Sequence, residues 1–520
     1  MVSGIDRSPY AIGDFHRQVT TQSSDAQLWF DRGLALVFAF NHEEAIACFS
    51  RALEADPQCA MAHWGIAYAS GPNINNVEMD ETARARATEH VQKASALKGA
   101  PVEMALIHAI GTRYGLDDQQ EPRNRAYADA MRQVAANYPN DADVTALFAE
   151  SLMILRPWKH WTPEGQMAPE TPEIIGTLEA GLSKWPKHVA LCHYYIHAME
   201  ASPHPEKAMP AANVLRDAMP GAGHLLHMPA HIDVLVGNYQ DSIIANQKGL
   251  EADRAFVTMR GDLNFYTLYR LHNYHFIVYS AMFDGQRALA LEAAEAIIVP
   301  QPLLDQMADF VEAFLATRLH VFIRFGNWDT ILAEPEPPSD HFMSRAVWRH
   351  ARTLAFAATR RVDEADAERA LFQAAVEAIP ESRLLFNNSC KDVMGVASAM
   401  VDGEIAYRKG QFEDAFRHLR EAVSRDDALN YDEPWGWMQP ARHALGALLL
   451  EQGKIEEAES VYLADLKRHP KNVWALHGLA ECTERKGKDA TAVKDQLKKA
   501  CSRADVPITT SCYCRIGTKD

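Results

Sequence analysis

The sequence lacks any apolar run long enough to cross a membrane, since nowhere do about 18 uninterrupted apolar residues occur in its 520 positions. The N-terminal residues show neither a basic stretch followed by an apolar core nor an Arg-rich amphipathic pattern. We therefore expect no membrane partner and a soluble, cytoplasmic protein.

Positive charge is in the minority. Lysine and arginine number 52 against 69 aspartate and glutamate residues, giving a net charge of -17, and no run of basic residues interrupts this balance. Such a surface would repel phosphate backbones and anionic lipid. The composition therefore predicts that nucleic acid is not a partner.

Cysteine is scarce and familiar catalytic motifs are missing. The 8 cysteines are scattered, and only Cys512 and Cys514 lie close together, which is a cytosolic pattern rather than a disulfide framework. No GxGxxG, GxxxxGK[ST], HExxH or GxSxG string occurs. Nucleotide-binding, zincin and serine-hydrolase functions therefore have no support from motifs.

A helix-hairpin repeat is present near both ends of the chain. In a unit starting at residue 26, Trp29, Gly33, Ala45, Phe49, Ala52 and Pro57 occupy positions 4, 8, 20, 24, 27 and 32, with Leu36 where tyrosine is usual. In a unit starting at residue 439, Leu445, Gly446, Ala458, Tyr462 and Pro470 occupy positions 7, 8, 20, 24 and 32. Small residues at fixed offsets let two helices touch, and large ones fill the gaps between them.

These units resemble tetratricopeptide repeats, in a little-characterised branch of that superfamily. The resemblance runs over most of the chain and is carried by the strings FNHEEAIACFSRALEADP, HYYIHAMEASPHPE, AGHLLHMPAHI and LHNYHF. It implies an all-α fold, a right-handed α-solenoid of about ten to twelve helix hairpins forming one superhelix. It implies no agreed activity, and most members of the wider superfamily are protein-interaction scaffolds.

Weaker units are placed by turn glycines and by prolines, with starts at residues 60, 142, 189, 223, 271, 312, 346, 396 and 473. The predicted organisation is an N-terminal segment (1–25), N-terminal hairpins (26–172), central His-rich hairpins (173–300), C-terminal hairpins (301–505) and a tail (506–520). Segments rich in proline, glycine and polar residues are predicted to be loops between hairpins, namely 71–81, 157–172 and 335–340.

Histidines concentrate on one face of the first helix of successive units. Positions 2, 5, 9 and 12 of that helix share a face and line the concave groove. These positions hold His193, His197 and Glu200 in the unit at 189, His224, His227 and His231 in the unit at 223, and His272, His275 and Tyr279 in the unit at 271. With only 22 histidines in the chain, chance would place far fewer there.

Histidines at i and i+4 can bind one metal ion, and pairs on neighbouring helices can complete its ligand set. The predicted metal ligands are His193, His197, His224, His227, His231, His272 and His275. Imidazoles suit copper, iron or zinc. Three facing pairs or triples could hold two ions, and a pair of three-histidine sites would be copper-like, whereas Glu200 or Glu150 joining two histidines would resemble an iron facial triad. The sequence leaves both open.

The leading hypothesis is a metal-dependent enzyme, an oxidoreductase acting on a small molecule. Glu200 serves as an additional ligand or general base and Tyr279 as a hydrogen-bond donor or acid.

The predicted substrate-binding residues are Trp64, Tyr68, Glu150, His320, His350 and His443. The alternative for the tryptophans is packing between hairpins. The alternative for the whole chain is a scaffold that binds a peptide or partner protein in its groove, and a weaker third is a metal store or chaperone.

Overall fold

The computed structural model describes residues 10–115 and 119–515. The ends of the predicted N-terminal and C-terminal segments therefore lie outside the described residues. The chain divides into two compact units. Unit 1 comprises the chain up to Ile232 together with Lys248–Arg260, and unit 2 comprises Asp233–Gln247 together with the chain from Gly261 onward.

Unit 1 is built from antiparallel helix hairpins. Its helices are α1 (Ser24–Phe38), α2 (His42–Ala55), α3 (Ala60–Ala69), α4 (Glu81–Ser95), α5 (Pro101–Gly111), α6 (Gln120–Asn137), α7 (Ala142–Met153), α8 (Thr171–Lys184), α9 (Val189–Met199), α10 (Met209–Leu215) and α11 (Gly223–His227). Two further helices, α12 (Pro229–Leu235) and α13 (Tyr239–Arg260), have residues in both units.

Unit 2 is helical apart from one short β-hairpin. Its helices are α14 (Thr267–Phe283), α15 (Arg287–Glu295), α16 (Gln301–Val311), α17 (Thr317–Arg324), α18 (Trp328–Ala333), α19 (Phe342–Ala358), α20 (Val362–Glu377), α21 (Cys390–Arg408), α22 (Phe412–Ala428), α23 (Ala441–Glu451), α24 (Ile455–Arg468), α25 (Val473–Arg485) and α26 (Thr491–Ala500). Strands β1 (Leu384–Leu385) and β2 (Asn388–Ser389) pair antiparallel, with Leu384 opposite Ser389. Short 3-10 helices cover Pro205–Ala208, Glu312–Ala316 and Cys501–Arg503. The predicted all-α class is confirmed.

Glycines in the first helices of two successive repeats explain how α1, α2 and α3 pack. A Cβ atom at Gly33 would lie 2.6 Å from Cε1 of Phe49, and one at Gly65 would lie 2.5 Å from Cζ of the same ring. Because only hydrogen fits at both places, the Phe49 ring packs between the first helices of two successive hairpins.

The same arrangement recurs in unit 2. Tyr462 of α24 occupies the position of Phe49, and Gly446 and Gly478 occupy those of the two glycines. A Cβ at Gly446 would lie 2.5 Å from Cζ of Tyr462, and Gly478 meets the same ring. In both hairpin pairs one aromatic ring packs against two glycines, although the aromatic residue differs.

Turns and loops fall where the sequence predicts them. The turn glycines Gly237, Gly285 and Gly326 have φ of 73°, 75° and 67°, in the left-handed region that favours glycine. The three predicted loop segments lie between α3 and α4, between α7 and α8, and between α18 and α19, except that Glu81 begins α4 and Thr171 and Pro172 begin α8. The first helix of the unit at 223 departs from expectation, since it breaks into α11 and α12 just before Pro229, whose ring disfavours a continuous helix.

Two further expectations meet the structure here. Within residues 10–115 and 119–515, no helix combines the length and apolar character needed to span a bilayer. Cys512 and Cys514 are joined by a disulfide, while the other six cysteines are free.

Candidate metal centre

Helix α9 supplies two histidines to the interior of unit 1. His193 and His197 are four residues apart, so they lie one turn apart on the same face. Every residue of α9 is buried, and Glu200 caps its C-terminal end. The helix therefore directs two imidazoles and one carboxylate into a water-poor interior.

The start of α9 is fixed by a buried ion network. His188, the N-cap residue, accepts from the backbone N–H of Leu191 and lies 3.0 Å through Nε2 from Asp143 of α7. Arg17 donates to the other oxygen of Asp143 across 2.7 Å. Burial would raise the pKa of Asp143, but the His188 hydrogen bond and the Arg17 charge outweigh it and hold the pKa below its usual range. The network thereby fixes the position of His193 and His197 relative to α7.

Helices α11 and α12 supply three more histidines. His224 and His227 lie on α11 and His231 on α12, and all three are buried. A Cβ at Gly223 would lie 2.9 Å from the backbone oxygen of Gly249. Because this glycine carries no side chain, α11 can approach α13 closely at this point.

Three of these imidazoles converge through one ring nitrogen each. The Nε2 atom of His193 lies 3.1 Å from Nε2 of His197 and 3.1 Å from Nε2 of His224. Nitrogens bound to one tetrahedral ion at the usual Zn–N length would be about 3.3 Å apart. The buried triad of His193, His197 and His224 therefore has the dimensions of a metal ligand set.

The opposite ring nitrogens identify the tautomers. His193 Nδ1 lies 2.7 Å from the backbone oxygen of Phe38, and a carbonyl oxygen can only accept. His197 Nδ1 lies 2.9 Å from Oε1 of Glu200. A neutral imidazole has one N–H, so with Nδ1 donating in both rings, both Nε2 atoms present lone pairs. Metal-binding histidines are oriented in this way by carboxylates and carbonyls.

Glu200 connects the triad to a second pair of histidines. Its Oε2 accepts from Nδ1 of His231 across 2.7 Å, while its Oε1 accepts from His197. His231 Nε2 lies 2.6 Å from Nε2 of His227. One carboxylate therefore orients an imidazole of each group, and both of its oxygens are engaged.

Aromatic rings cover the triad. The ring of Phe40 lies 4.5 Å from that of His193, 5.8 Å from that of His197 and 5.4 Å from that of His224, centroid to centroid. Trp158 meets His197 edge-on at 5.7 Å. Phe40 is held in a left-handed conformation with φ of 54° at the turn after α1. The sequence pattern did not identify this residue as part of the site, because a strained turn phenylalanine has no periodic signature.

Burial keeps the imidazoles neutral. It lowers the pKa of His193 to about 3, with His231 adding a smaller lowering effect. It also lowers the pKa of His197 and of His224 well below the usual value, and the neighbouring histidines of the cluster act in the same direction. The triad therefore presents uncharged donors near pH 7, which is the form that binds transition metals.

The predicted substrate-binding residues of unit 1 also come together. Tyr68 donates to Oε2 of Glu150 across 2.8 Å, and the rings of Trp64 and Tyr68 are 5.3 Å apart. Burial raises the pKa of Glu150, although Arg113 and the Tyr68 hydrogen bond oppose this. Arg113 itself had no signal in the sequence, because a single arginine at a helix end is ordinarily exposed.

The histidines of the third unit lie on α14 in unit 2. His272 packs edge-on against Phe276 and Phe386, with ring centroids 5.0 and 5.3 Å away. His275 Nε2 lies 3.3 Å from Sδ of Met438. Tyr279 is fully buried and stacks on Phe283, and its ring lies 5.4 Å from that of Trp435.

The remaining predicted histidines are buried in unit 2. The rings of His320 and His350 each lie 5.4 Å from that of Trp437. His443 uses both ring nitrogens within the protein: Nδ1 accepts from Arg324 across 2.8 Å, and Nε2 donates to Asp465 across 2.9 Å. His443 is thus part of a hydrogen-bond network that involves both of its nitrogens.

Comparison with known families agrees with the packing. A tetratricopeptide-repeat profile matches residues 26–59, and a second matches residues 443–505. The first match contains the Phe49 packing and the second contains the Tyr462 packing. These two segments are therefore tetratricopeptide repeats, and the resemblance to that superfamily is confirmed. A comparison with curated protein sequences finds no match.

Solved helical-repeat structures align over most of the chain. Human IFIT1 as a dimer with m7Gppp-AAAA is 11% identical, with 93% of this chain and 92% of that chain covered and a TM-score of 0.35. Human IFIT1 with PPP-AAAA is 12% identical, covers 93% and 92%, and has a TM-score of 0.34. The APC/C Cut9–Hcn1 hetero-tetramer is 12% identical, covers 92% and 78%, and has a TM-score of 0.32.

The prediction that excluded nucleic acid as a partner is wrong. The finding that overturns it is that the solved structures aligned with this chain include IFIT1 with m7Gppp-AAAA. The physical reason is that net charge sums over the whole surface, whereas binding depends on the local charge and shape of one groove. A net charge of -17 therefore does not decide the question.

Proposed function

We propose that this chain is a tetratricopeptide-repeat metalloprotein that binds one transition-metal ion through Nε2 of His193, His197 and His224, and acts as a metal-dependent oxidoreductase on a small molecule. The observation that carries the proposal is the 3.1 Å separation of Nε2 atoms on His193 and His197, whose Nδ1 atoms both donate elsewhere.

A direct hydrogen bond between the Nε2 atoms of His193 and His197 does not account for their 3.1 Å separation. With Nδ1 donating in both rings, neither Nε2 carries a proton, and two lone pairs facing each other in a buried place repel. A proton between them would create a buried charge, which burial disfavours. A bound cation accepts both lone pairs and removes the repulsion. His224, whose Nε2 lies 3.1 Å from that of His193, supplies a third donor.

The ligand chemistry favours copper or zinc over iron. Glu200 engages both of its oxygens with imidazole N–H groups, so it orients His197 and His231 and leaves the ligand set all-imidazole. The thiol of Cys192 donates to the backbone oxygen of Pro186 at 3.7 Å and is directed there. Three imidazoles without thiolate or carboxylate suit copper or zinc, whereas a facial-triad iron site needs a carboxylate ligand. Copper would supply the one-electron chemistry of an oxidoreductase.

The residues around the triad supply the setting for such chemistry. Phe40 and Trp158 exclude water from the imidazoles. Phe38 and Glu200 accept hydrogen bonds from Nδ1 of His193 and His197. The Nε2 lone pairs of both imidazoles are therefore oriented before an ion binds. Such preorganisation lowers the cost of forming the site.

The test is elemental analysis of the purified, untagged chain after dialysis, with copper, zinc and iron offered in turn. We expect close to one equivalent of copper or zinc in the wild type and loss of that ion in the double variant His193→Ala, His197→Ala. For copper, the paramagnetic resonance spectrum should show nitrogen hyperfine splitting. Tight binding of zinc alone would point to hydrolytic chemistry instead, and a chain that takes up none of these ions would overturn the proposal in favour of a peptide-binding scaffold.

A further inference from the structure

A second cluster of buried polar groups lies in unit 1. It consists of Trp64 and Tyr68 on α3, Arg113 after α5, and Tyr127 on α6, and is called the Arg113 cluster below. Arg113 and Tyr127 are 0% exposed and Trp64 is 1% exposed. Arginine is almost never buried completely without a partner for its charge.

Ring contacts define the geometry of the cluster. The guanidinium carbon of Arg113 lies 4.9 Å from the centroid of the Tyr127 ring and 5.7 Å from that of the Tyr68 ring. The rings of Tyr68 and Trp64 are 5.3 Å apart. The four side chains therefore pack against one another in the interior of unit 1.

Three groups of the Arg113 cluster that can donate hydrogen bonds lack an acceptor in the part of the chain that the structure describes. Arg113 donates through Nη2 to the backbone oxygen of Pro72 at 2.8 Å and through Nε to Asn124 at 3.4 Å. Its Nη1 atom, Oη of Tyr127 and Nε1 of Trp64 have no partner among the described residues. All three can donate, and buried donors without acceptors are uncommon in folded proteins.

The charge of Arg113 is offset by Glu150 without direct contact. Glu150 acts on Arg113 through its charge and makes no hydrogen bond to it, while its Oε2 accepts from Tyr68. A guanidinium presents a planar fork of N–H groups that matches a carboxylate. A single cation with a carboxylate nearby favours a ligand with one negative charge over a phosphate that carries two.

A chain of aromatic contacts leads from this cluster to the triad. His42 lies 6.4 Å from the ring of Tyr68 and 6.3 Å from that of Phe40, and Phe40 lies 4.5 Å from that of His193. Two rings thus lie between the Arg113 cluster and the nearest triad histidine.

We infer that the Arg113 cluster is a carboxylate-binding site, in which Arg113 pairs with the carboxylate while Tyr127 and Trp64 donate to its oxygens. Its assignment to the substrate of the metal centre rests on the proposed function. The substrate is then a small monocarboxylate.

The experiment measures binding of formate, acetate, butyrate and benzoate to the metal-free full chain by titration calorimetry. The matching neutral amides, formamide to benzamide, are measured in parallel. We expect at least one carboxylate to bind, its amide to bind at least about tenfold more weakly, and Arg113→Lys to weaken carboxylate binding.

The decisive variant is Tyr127→Phe, because it deletes a hydroxyl that has no partner within the described residues and should leave the unfolding midpoint unchanged. We expect it to weaken carboxylate binding about tenfold. The matched control Tyr195→Phe removes a hydroxyl that donates to Glu179 across 2.8 Å and should leave binding unchanged.

The outcomes separate the two proposals. Failure of every carboxylate to bind, equal affinity for amide and acid, or unchanged affinity in Tyr127→Phe would each overturn the carboxylate site. Carboxylate binding by a chain that takes up no metal would keep the site and overturn only its assignment to a metal centre's substrate. Metal uptake without carboxylate binding would keep the metal centre and overturn the carboxylate site.

Discussion

His193 donates from Nδ1 to the backbone oxygen of Phe38 across 2.7 Å, although 155 residues separate them in sequence. Phe38 is the last residue of α1, where carbonyl groups have no partner within the helix. The imidazole therefore satisfies an otherwise unpaired helix end, and the carbonyl in turn fixes the imidazole tautomer. The first repeat hairpin is in this way coupled to the candidate metal centre.

Replacing one triad histidine should abolish tight metal binding without unfolding the chain. In His224→Ala the ion loses one of its three imidazoles, and we expect the metal retained after dialysis to fall to less than a tenth of the wild-type content. His204 is largely exposed, with a side chain 64% accessible, so His204→Ala is the matched control and should retain the ion. Elemental analysis with circular dichroism measures both. A His224→Ala protein that keeps its full metal content would remove His224 from the ligand set.

Glu200→Gln tests the orienting carboxylate. An amide has one acceptor oxygen, so its NH2 group would face an N–H of either His197 or His231. We expect metal affinity to fall by about 10–100-fold, the usual effect of losing a group that orients a ligand. Glu206→Gln, at a carboxylate 58% accessible, should leave the affinity unchanged. Competition with a chelator of known affinity gives both values, and equal affinities would show that Glu200 has no orienting role.

Two glycine substitutions of the same kind should have opposite effects on stability. In Gly33→Ala the new methyl group would lie 2.6 Å from Cε1 of Phe49, so we expect a loss of about 1–3 kcal/mol from overpacking. Gly176 lies on α8 with nothing within 4 Å of its would-be Cβ, so Gly176→Ala should add about 0.5–1 kcal/mol through helix propensity. Urea unfolding measures both changes. A neutral Gly33→Ala would contradict the packing described for Phe49.

Asp465 should make stability depend on pH. It accepts from His443 and His469 at 2.9 Å each and from Asn472 at 3.0 Å. Burial alone would raise its pKa, but the charges and hydrogen bonds of the two histidines outweigh it, so the pKa lies well below its usual range. Asp465→Asn places an NH2 group against a donor, and we expect a loss of about 1–3 kcal/mol at pH 7.

The sign of the pH effect follows from proton binding. Because the folded pKa lies below the unfolded value of about 3.9, the unfolded chain binds the proton first as the pH falls. The contribution of Asp465 is therefore fully present above about pH 4 and declines below it. Urea unfolding of wild type and Asp465→Asn at pH 7 and pH 3.5 should show a smaller difference at the lower pH. A difference that grows on acidification would contradict the depressed pKa.

Periodicity predicted much of the site, because helix geometry is local. Residues four apart share a helix face whatever the rest of the chain does, so the pairing of His193 with His197 follows from their spacing. The repeat register then placed His224 on the equivalent face of the next hairpin, and packing brings its Nε2 to 3.1 Å from that of His193. Gly33, one of the two glycines that receive Phe49, was predictable for the same reason, since its position 8 recurs at Gly446.

Other features were decided by tertiary structure alone. The sequence offered Glu200 as a ligand or a base, and only the tertiary structure shows that its two oxygens accept from His197 and His231. Phe38, Phe40 and Arg113 carried no signal, because their roles depend on elements far apart in the chain. Sequence by itself determined which side chains share a helix face, since that depends on a rotation of about 100° per residue. Only the tertiary structure decided which nitrogen of each imidazole bears the proton, because that depends on the group packed against it from a distant part of the chain.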